Sequence, residues 1–319
     1  MKKGLKIFLI VMLIMVLVGA VVVGIGCAVF FGSGRAEARK LNYTEGYVEC
    51  EIMPDTVDLD IGGAHEVVLQ RGEKTSVKYY DSELSKFSVT ESGNTLRIAE
   101  RRQDWSWWKD LFYKEETTQV VITVPENAKF ELKGDVSGAL KMELPAWEYR
   151  DINFSISGAG NINGSNLVTG DVTIRVSGAS NANLSGQFGK MNLRSSGASN
   201  YKIAGVASEL RAITSGAGNL NLNNFDCPYI NMECSGGSDV KMSGTGGELE
   251  LHVSGTASIK GENFTLRKAT ISSSGSSSVT LRVSEYLYVS GSGSSKVRYY
   301  GNPKVEQNGS GSFKLTQME

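Results

Sequence analysis

The stretch Val172-Thr173-Ile174-Arg175-Val176-Ser177-Gly178-Ala179-Ser180-Asn181-Ala182 decides the fold. Val172, Ile174 and Val176 alternate with Thr173, Arg175 and Ser177, and a period of two is the signature of a strand. The Ser-Gly pair interrupts the alternation, which resumes beyond it. This unit recurs along the second half of the chain. Serine precedes each of Gly138, Gly158, Gly178, Gly197, Gly216, Gly236, Gly255, Gly275, Gly293 and Gly311, and a small residue or threonine follows, at spacings of 18 to 20 residues. Six places before these glycines stand Leu132, Ile152, Val172, Met191, Leu210, Ile230, Leu249, Ala269, Leu287 and Val305. Four places after them stand Met142, Ile162, Ala182, Tyr201, Leu220, Val240, Ile259, Val279, Val297 and Leu315.

Apolar columns held in register over ten copies exclude a disordered Gly/Ser/Asn tract. One copy cannot bury its own apolar face, but stacked copies share a continuous core. The spacing therefore predicts an all-β chain: a β-solenoid of about ten coils with a period near 19 residues, two short strands per coil, and the ten glycines as structural corners. Each corner glycine supplies a positive φ or lets the next coil approach closely, so Gly216→Val is expected to strain the backbone. Gly134, Gly164, Gly261 and Gly291 fall where other coils carry larger interior residues. Cys234 falls on an inward position, which weighs against a disulfide with Cys227.

Composition removes several functions. Glycine numbers 37 of 319 residues, about 12 % against a usual ~7 %, while 5 prolines without a three-residue glycine period exclude collagen. A formal net charge of −1 gives nucleic acid no general handle. Two histidines leave little for a metal or catalytic site, no CxxC pair is present, and no glycine-rich segment has phosphate-loop spacing. No cofactor, metal or catalytic residue is expected. The minimal carboxylate cluster for polysaccharide chemistry is Glu248 with Glu250, and Glu262 one coil on. His65 and His252 read as separate surface or half-buried strand residues.

Residues 7–31 carry no charge and are long enough to span a bilayer. Lys2, Lys3 and Lys6 precede them, which favours the amino terminus inside. A signal-anchor helix is the first reading. A cleaved signal at Ala36-Glu37-Ala38 and a lipoprotein signal at Cys27 are the alternatives, and all three place the remainder outside the cytoplasm. The chain then divides into a cytoplasmic terminus 1–6, a transmembrane helix 7–31, a linker 32–46, a β region 47–129 with an aromatic insertion 101–116, and the ladder 130–319. Within the insertion, Trp105, Trp107, Trp108, Phe112 and Tyr113 either pack on their own sheet or form a partner contact, since tryptophan suits half-wet interfaces.

The ladder Ser157-Gly158-Ala159-Gly160-Asn161-Ile162-Asn163, with Ser177-Gly178-Ala179-Ser180-Asn181, Ser196-Gly197-Ala198-Ser199-Asn200 and Ser215-Gly216-Ala217-Gly218-Asn219, resembles the head GIN-domain family of putative autotransporter adhesins. Tyr299-Tyr300-Gly301-Asn302-Pro303-Lys304-Val305 resembles that family's ending, and residues 47–124 resemble related adhesin domains. The resemblance implies a right-handed β-helical domain, bacterial and secreted or surface-anchored, with no catalytic residues to carry over. The expected function is a membrane-anchored, single-pass extracellular module that binds a protein or glycan at the cell surface. The alternatives are an envelope protein contacting a membrane partner of the same cell, and a polysaccharide-active enzyme.

Overall fold

The computed structural model describes residues 39–102, 113–114 and 116–319. They belong to two units. In the smaller, Arg39–Lys40 pairs in parallel with Tyr113–Lys114. The larger is all-β, with no helix among the described residues. The expected membrane helix at 7–31 lies outside the described residues, among which no helix is long and apolar enough to cross a membrane.

The larger unit is a β-solenoid of about nine turns, fewer than the ten coils expected, because ten corners bound only nine intervals. Each turn meets the next along three stretches rather than two. In Ala179–Ser195, residues 179–184, 186–188 and 190–195 pair in parallel with 198–203, 205–207 and 209–214. Ten turns' worth of alternation had hidden the short middle stretch, which is too brief to show a period of its own.

The stack also takes in the first part of the chain, but not in sequence order. Thr56–Ile61 and Ala64–Gly72 pair in parallel with Glu131–Val136 and Ala139–Leu144. Thr95–Arg102 and Thr118–Pro125 lie on their other side, again in parallel. The chain thus passes over the 56–72 rung between Pro125 and Glu131. Arg71, on the rung passed over, secures this crossing by donating to the Pro125 and Ala128 carbonyls at 2.6 and 2.9 Å. Its guanidinium stands 4.0 Å from the centroid of the Trp147 ring. Antiparallel strands flank the rungs: Tyr43–Cys50 joins Thr75–Ser82, and Ser85–Ser92 joins Thr95–Arg102 across a turn at Gly93 and Asn94.

The two apolar columns form the core. Every member is buried except Val305 and Leu315 in the last turn, which are half-buried. Tyr201 keeps its ring inside and satisfies its hydroxyl by donating to the Arg194 carbonyl at 3.2 Å. The interior glycines leave no voids. A Cβ on Gly134 would stand 2.3 Å from the Phe154 ring, one on Gly261 2.8 Å from Leu281, and one on Gly291 2.0 Å from Phe313. Each missing side chain is thus replaced by a large neighbour, which keeps interior density constant.

The corners stack on one another through the backbone. The Gly138 carbonyl accepts the Ala159 amide at 2.9 Å, that of Gly158 the Ala179 amide at 3.1 Å, and that of Gly255 the Ser276 amide at 2.9 Å. A Cβ on Gly158 or Gly178 would fall 1.9 Å from the preceding corner's carbonyl oxygen. From Gly236 onward the corners also adopt positive φ, between 69° and 89°. Gly216 is not among these, so the strain expected there is corrected: a side chain would instead meet the Gly197 carbonyl, 2.4 Å from its Cβ. Gly178→Ala is expected to lower stability by about 2 kcal/mol or more through backbone overlap. Gly237→Ala, whose Cβ meets nothing within 4 Å, should stay within about 0.5 kcal/mol of the parent. Urea unfolding of both variants checks the contrast; equal losses would refute it.

Candidate functional site

Parallel stacking turns each outward position into a column, with rungs about 4.8 Å apart. On the face preceding the corners, one column runs Tyr229, Glu248, Lys268, Tyr286, Lys304. Beside it lies a groove of ≈ 710 Å³ lined by Glu209, Tyr229, Asn231, Glu250, Lys268 and Tyr286, among others. Tyr229 is 59 % exposed. Glu248 accepts from the Lys268 ammonium at 3.0 Å. Glu250 takes the Asn231 side-chain amide at 2.7 Å and stands 3.1 Å from His252 Nε2. The Asn231 Oδ1 atom is buried and has no hydrogen-bond partner.

The groove combines an apolar ring face with carboxylates, a cation and an amide. That combination matches the apolar faces and hydroxyl edges of a polyhydroxylated ring. It is poorly suited to proton transfer, because the Glu248 and Glu250 side chains are 45 % and 53 % exposed. A carboxyl acting as a general acid needs a drier pocket. The expected triad is also corrected. Glu248 faces Lys268 and Glu250 faces Thr270 on the next rung, while Glu262 lies in a different groove with Lys241 and Lys260. The middle stretch of the turn, invisible to the two-strand reading, carries Glu262 to another side.

Cys50, Cys227 and Cys234 are free and buried. Cys234 faces inward on its strand, so the Cys227–Cys234 disulfide left open by the sequence is not formed. Among the described residues no group of three or more His, Cys, Asp or Glu side chains could hold a metal ion. Trp105, Trp107, Trp108 and Phe112 lie outside the described residues; of Tyr113 only the backbone pairing with Arg39 is described.

His65 is neither the surface nor the half-buried residue expected. It is 4 % exposed, and its Nε2 stands 3.0 Å from Glu100 while Nδ1 stands 2.7 Å from the Thr118 hydroxyl. An ionised Glu100 can only accept, so Nε2 carries the proton toward it. The same Glu100 oxygen accepts the Gly62 and Gly63 amides at 2.8 and 2.6 Å. Gly62-Gly63 is the corner of the 56–72 rung. Glu100, on the strand stacked against this rung, thus caps both amides of the corner through one oxygen. Burial alone would raise its carboxyl, but the His65 contact and the two glycine amides outweigh it and hold the group at about 2, below its ordinary 4.5.

The family described as "Putative auto-transporter adhesin, head GIN domain" matches residues 57–210 and 204–303. No curated protein matches the chain. Among solved structures, a putative adhesin from Parabacteroides merdae shares 14 % identity over 88 % of this chain and 99 % of its own, with a TM-score of 0.39. A putative lipid binding protein from Parabacteroides distasonis shares 17 % over 88 % and 99 %, with a TM-score of 0.39. A putative cell adhesion protein from Clostridium sporogenes shares 13 % over 63 % and 100 %, with a TM-score of 0.32.

A depressed carboxyl contributes stability that is complete above its unfolded value and fades as pH falls toward its folded one. Glu100 should therefore contribute on the order of 3 kcal/mol at neutral pH, lost between about pH 4.5 and pH 2. Urea unfolding followed across that window should show a steeper acid loss in the parent than in Glu100→Gln. Parallel acid profiles would remove Glu100 as the corner's cap.

Proposed function

We propose that this chain, which belongs to the head GIN-domain family of putative auto-transporter adhesins, is a non-catalytic module that binds glycans at the cell surface. Residues 7–31 hold it in the membrane as a single-pass anchor, with the solenoid outside. The anchor rests on the length of the uncharged apolar stretch and the lysines before it. The Tyr229 groove carries the binding reading, and the observation that weighs most is the exposed tyrosine ring beside the groove's carboxylates and the Lys268 ammonium. An aromatic platform next to directional polar groups orients a ligand with apolar faces and hydroxyl edges, which is the chemistry of a sugar ring. A rigid stack requires little ordering on binding, so a modest contact area yields useful affinity.

Full-length chain in detergent micelles, tested against a panel of immobilised neutral polysaccharides, should retain at least one. Tyr229→Ala should weaken that binding about tenfold or more without changing the melting curve. Unchanged binding by the variant would move the site elsewhere. Hydrolysis of a bound glycan, abolished by Glu248→Gln, would replace the binding reading with an enzymatic one.

A further inference from the structure

On the same outward face, three positions before the corner glycines, Arg175 and Arg194 occupy adjacent rungs directly opposite one another. Like charges opposed across a ladder are destabilising. At several other rungs the solenoid answers an outward cation with an acid on a neighbouring rung: Arg211 with Glu233 at 3.2 Å, Lys190 with Glu209 at 3.2 Å, and Arg97 with Asp58 at 2.8 Å. Arg175 and Arg194 have no acidic partner among the described residues. Arg175 donates to the Asn153 side-chain oxygen at 3.5 Å, and Arg194 to that of Asn192 at 3.3 Å. Neutral amide oxygens thus hold both guanidinium groups in place without cancelling their charge.

The surroundings add donors. Period two places Ser177 beside Arg175 and Ser196 beside Arg194 on the same face. Ser157 and Ser215, in the flanking turns, commit their hydroxyls to carbonyls of the preceding turn at 3.4 and 3.2 Å. Ser177 and Ser196 make no such bond, so their hydroxyls are free to donate outward. Both arginines and these serines line a groove of ≈ 320 Å³. At Ile213 it meets a second groove of ≈ 380 Å³ that follows the serine corners as far as Ser292. The track runs along the stack, so it suits an extended chain rather than a compact ion.

We propose that Arg175 and Arg194, with Ser177 and Ser196, form a subsite for the carboxylate or sulfate groups of an acidic polysaccharide laid along the serine corners. Two planar forks one rung apart bind oxyanions by paired charge-assisted hydrogen bonds. The subsite stands apart from the Tyr229 groove and does not depend on it.

The test uses full-length chain in detergent micelles and immobilised dextran sulfate, with unsubstituted dextran as the reference, at about 0.15 M salt, where surface charges act only over about 8 Å. The double variant Arg175→Gln with Arg194→Gln should bind at least tenfold more weakly. Lys241→Gln with Lys260→Gln removes the same charge from another side of the solenoid and should change binding less than about threefold. Replacing both arginines by lysine keeps the charge, loses the fork, and should give an intermediate affinity. Tyr229→Ala should leave dextran sulfate binding unchanged, so failure of the neutral-glycan reading and failure of this one are distinguishable. Equal losses in the arginine and lysine pairs, absent binding, or inorganic sulfate competing as well as the polymer at equal sulfate concentration would each overturn the subsite.

Discussion

At most corners of the stack, a glycine carbonyl from one turn occupies the space where the next turn's Cβ would stand. At several of them the amide just beyond the next glycine donates to that carbonyl, as Ala179 does to Gly158. This contact fixes the register. Once the corner amides and carbonyls are engaged, the strands on either side can pair only in phase, and a slip of one residue would turn every apolar side chain outward. The serine before the glycine strengthens the lock where its hydroxyl joins its amide on one carbonyl, as Ser157 does on Val136. At the Ser-Gly corners glycine is therefore mainly a requirement for close approach, and only from Gly236 onward also one for positive φ.

The remaining features follow from keeping that lock intact over many turns. Interior volume must stay even, so Phe154 fills the space over Gly134 and Phe313 that over Gly291. A ladder of corners must also end. At the 56–72 rung the Glu100 carboxylate, held by His65, caps the two glycine amides of the corner. At the other end the half-buried Val305, Phe313 and Leu315 cover the last core layer. The outer columns are released from these constraints. Their side chains are free to vary from rung to rung, and both the Tyr229 groove and the paired arginines are built from such variation.

Much of this was legible in the sequence because every turn repeats one burial pattern. Leu220 and Ile174 could be placed in the core from their distance to a Ser-Gly pair alone. Other features depend on contacts that no local pattern encodes. That 95–125 stacks outside 56–72 is set by pairing between distant strands. The partnership of His65 with Glu100 follows from that order, which is why His65 read as a surface or half-buried residue. Glu262 was misplaced beside Glu248 because the short middle stretch of each turn has too few residues to show a phase. The Tyr229 groove was half visible: its carboxylates were named, while the ring three rungs from Tyr286 emerges only when the columns are aligned.

Family membership and fold together describe a rigid scaffold whose outer columns are free to vary, and that description stands or falls with the corner lock. Residue-resolved hydrogen–deuterium exchange on the full-length chain tests the lock most directly. The amides of Ala159, Ala179, Ser276 and Ser294, each bonded to a corner carbonyl, should exchange as slowly as the mid-strand amide of Ile174. Exchange of these corner amides at the rate of exposed turns such as Gly93, with Ile174 still protected, would contradict it.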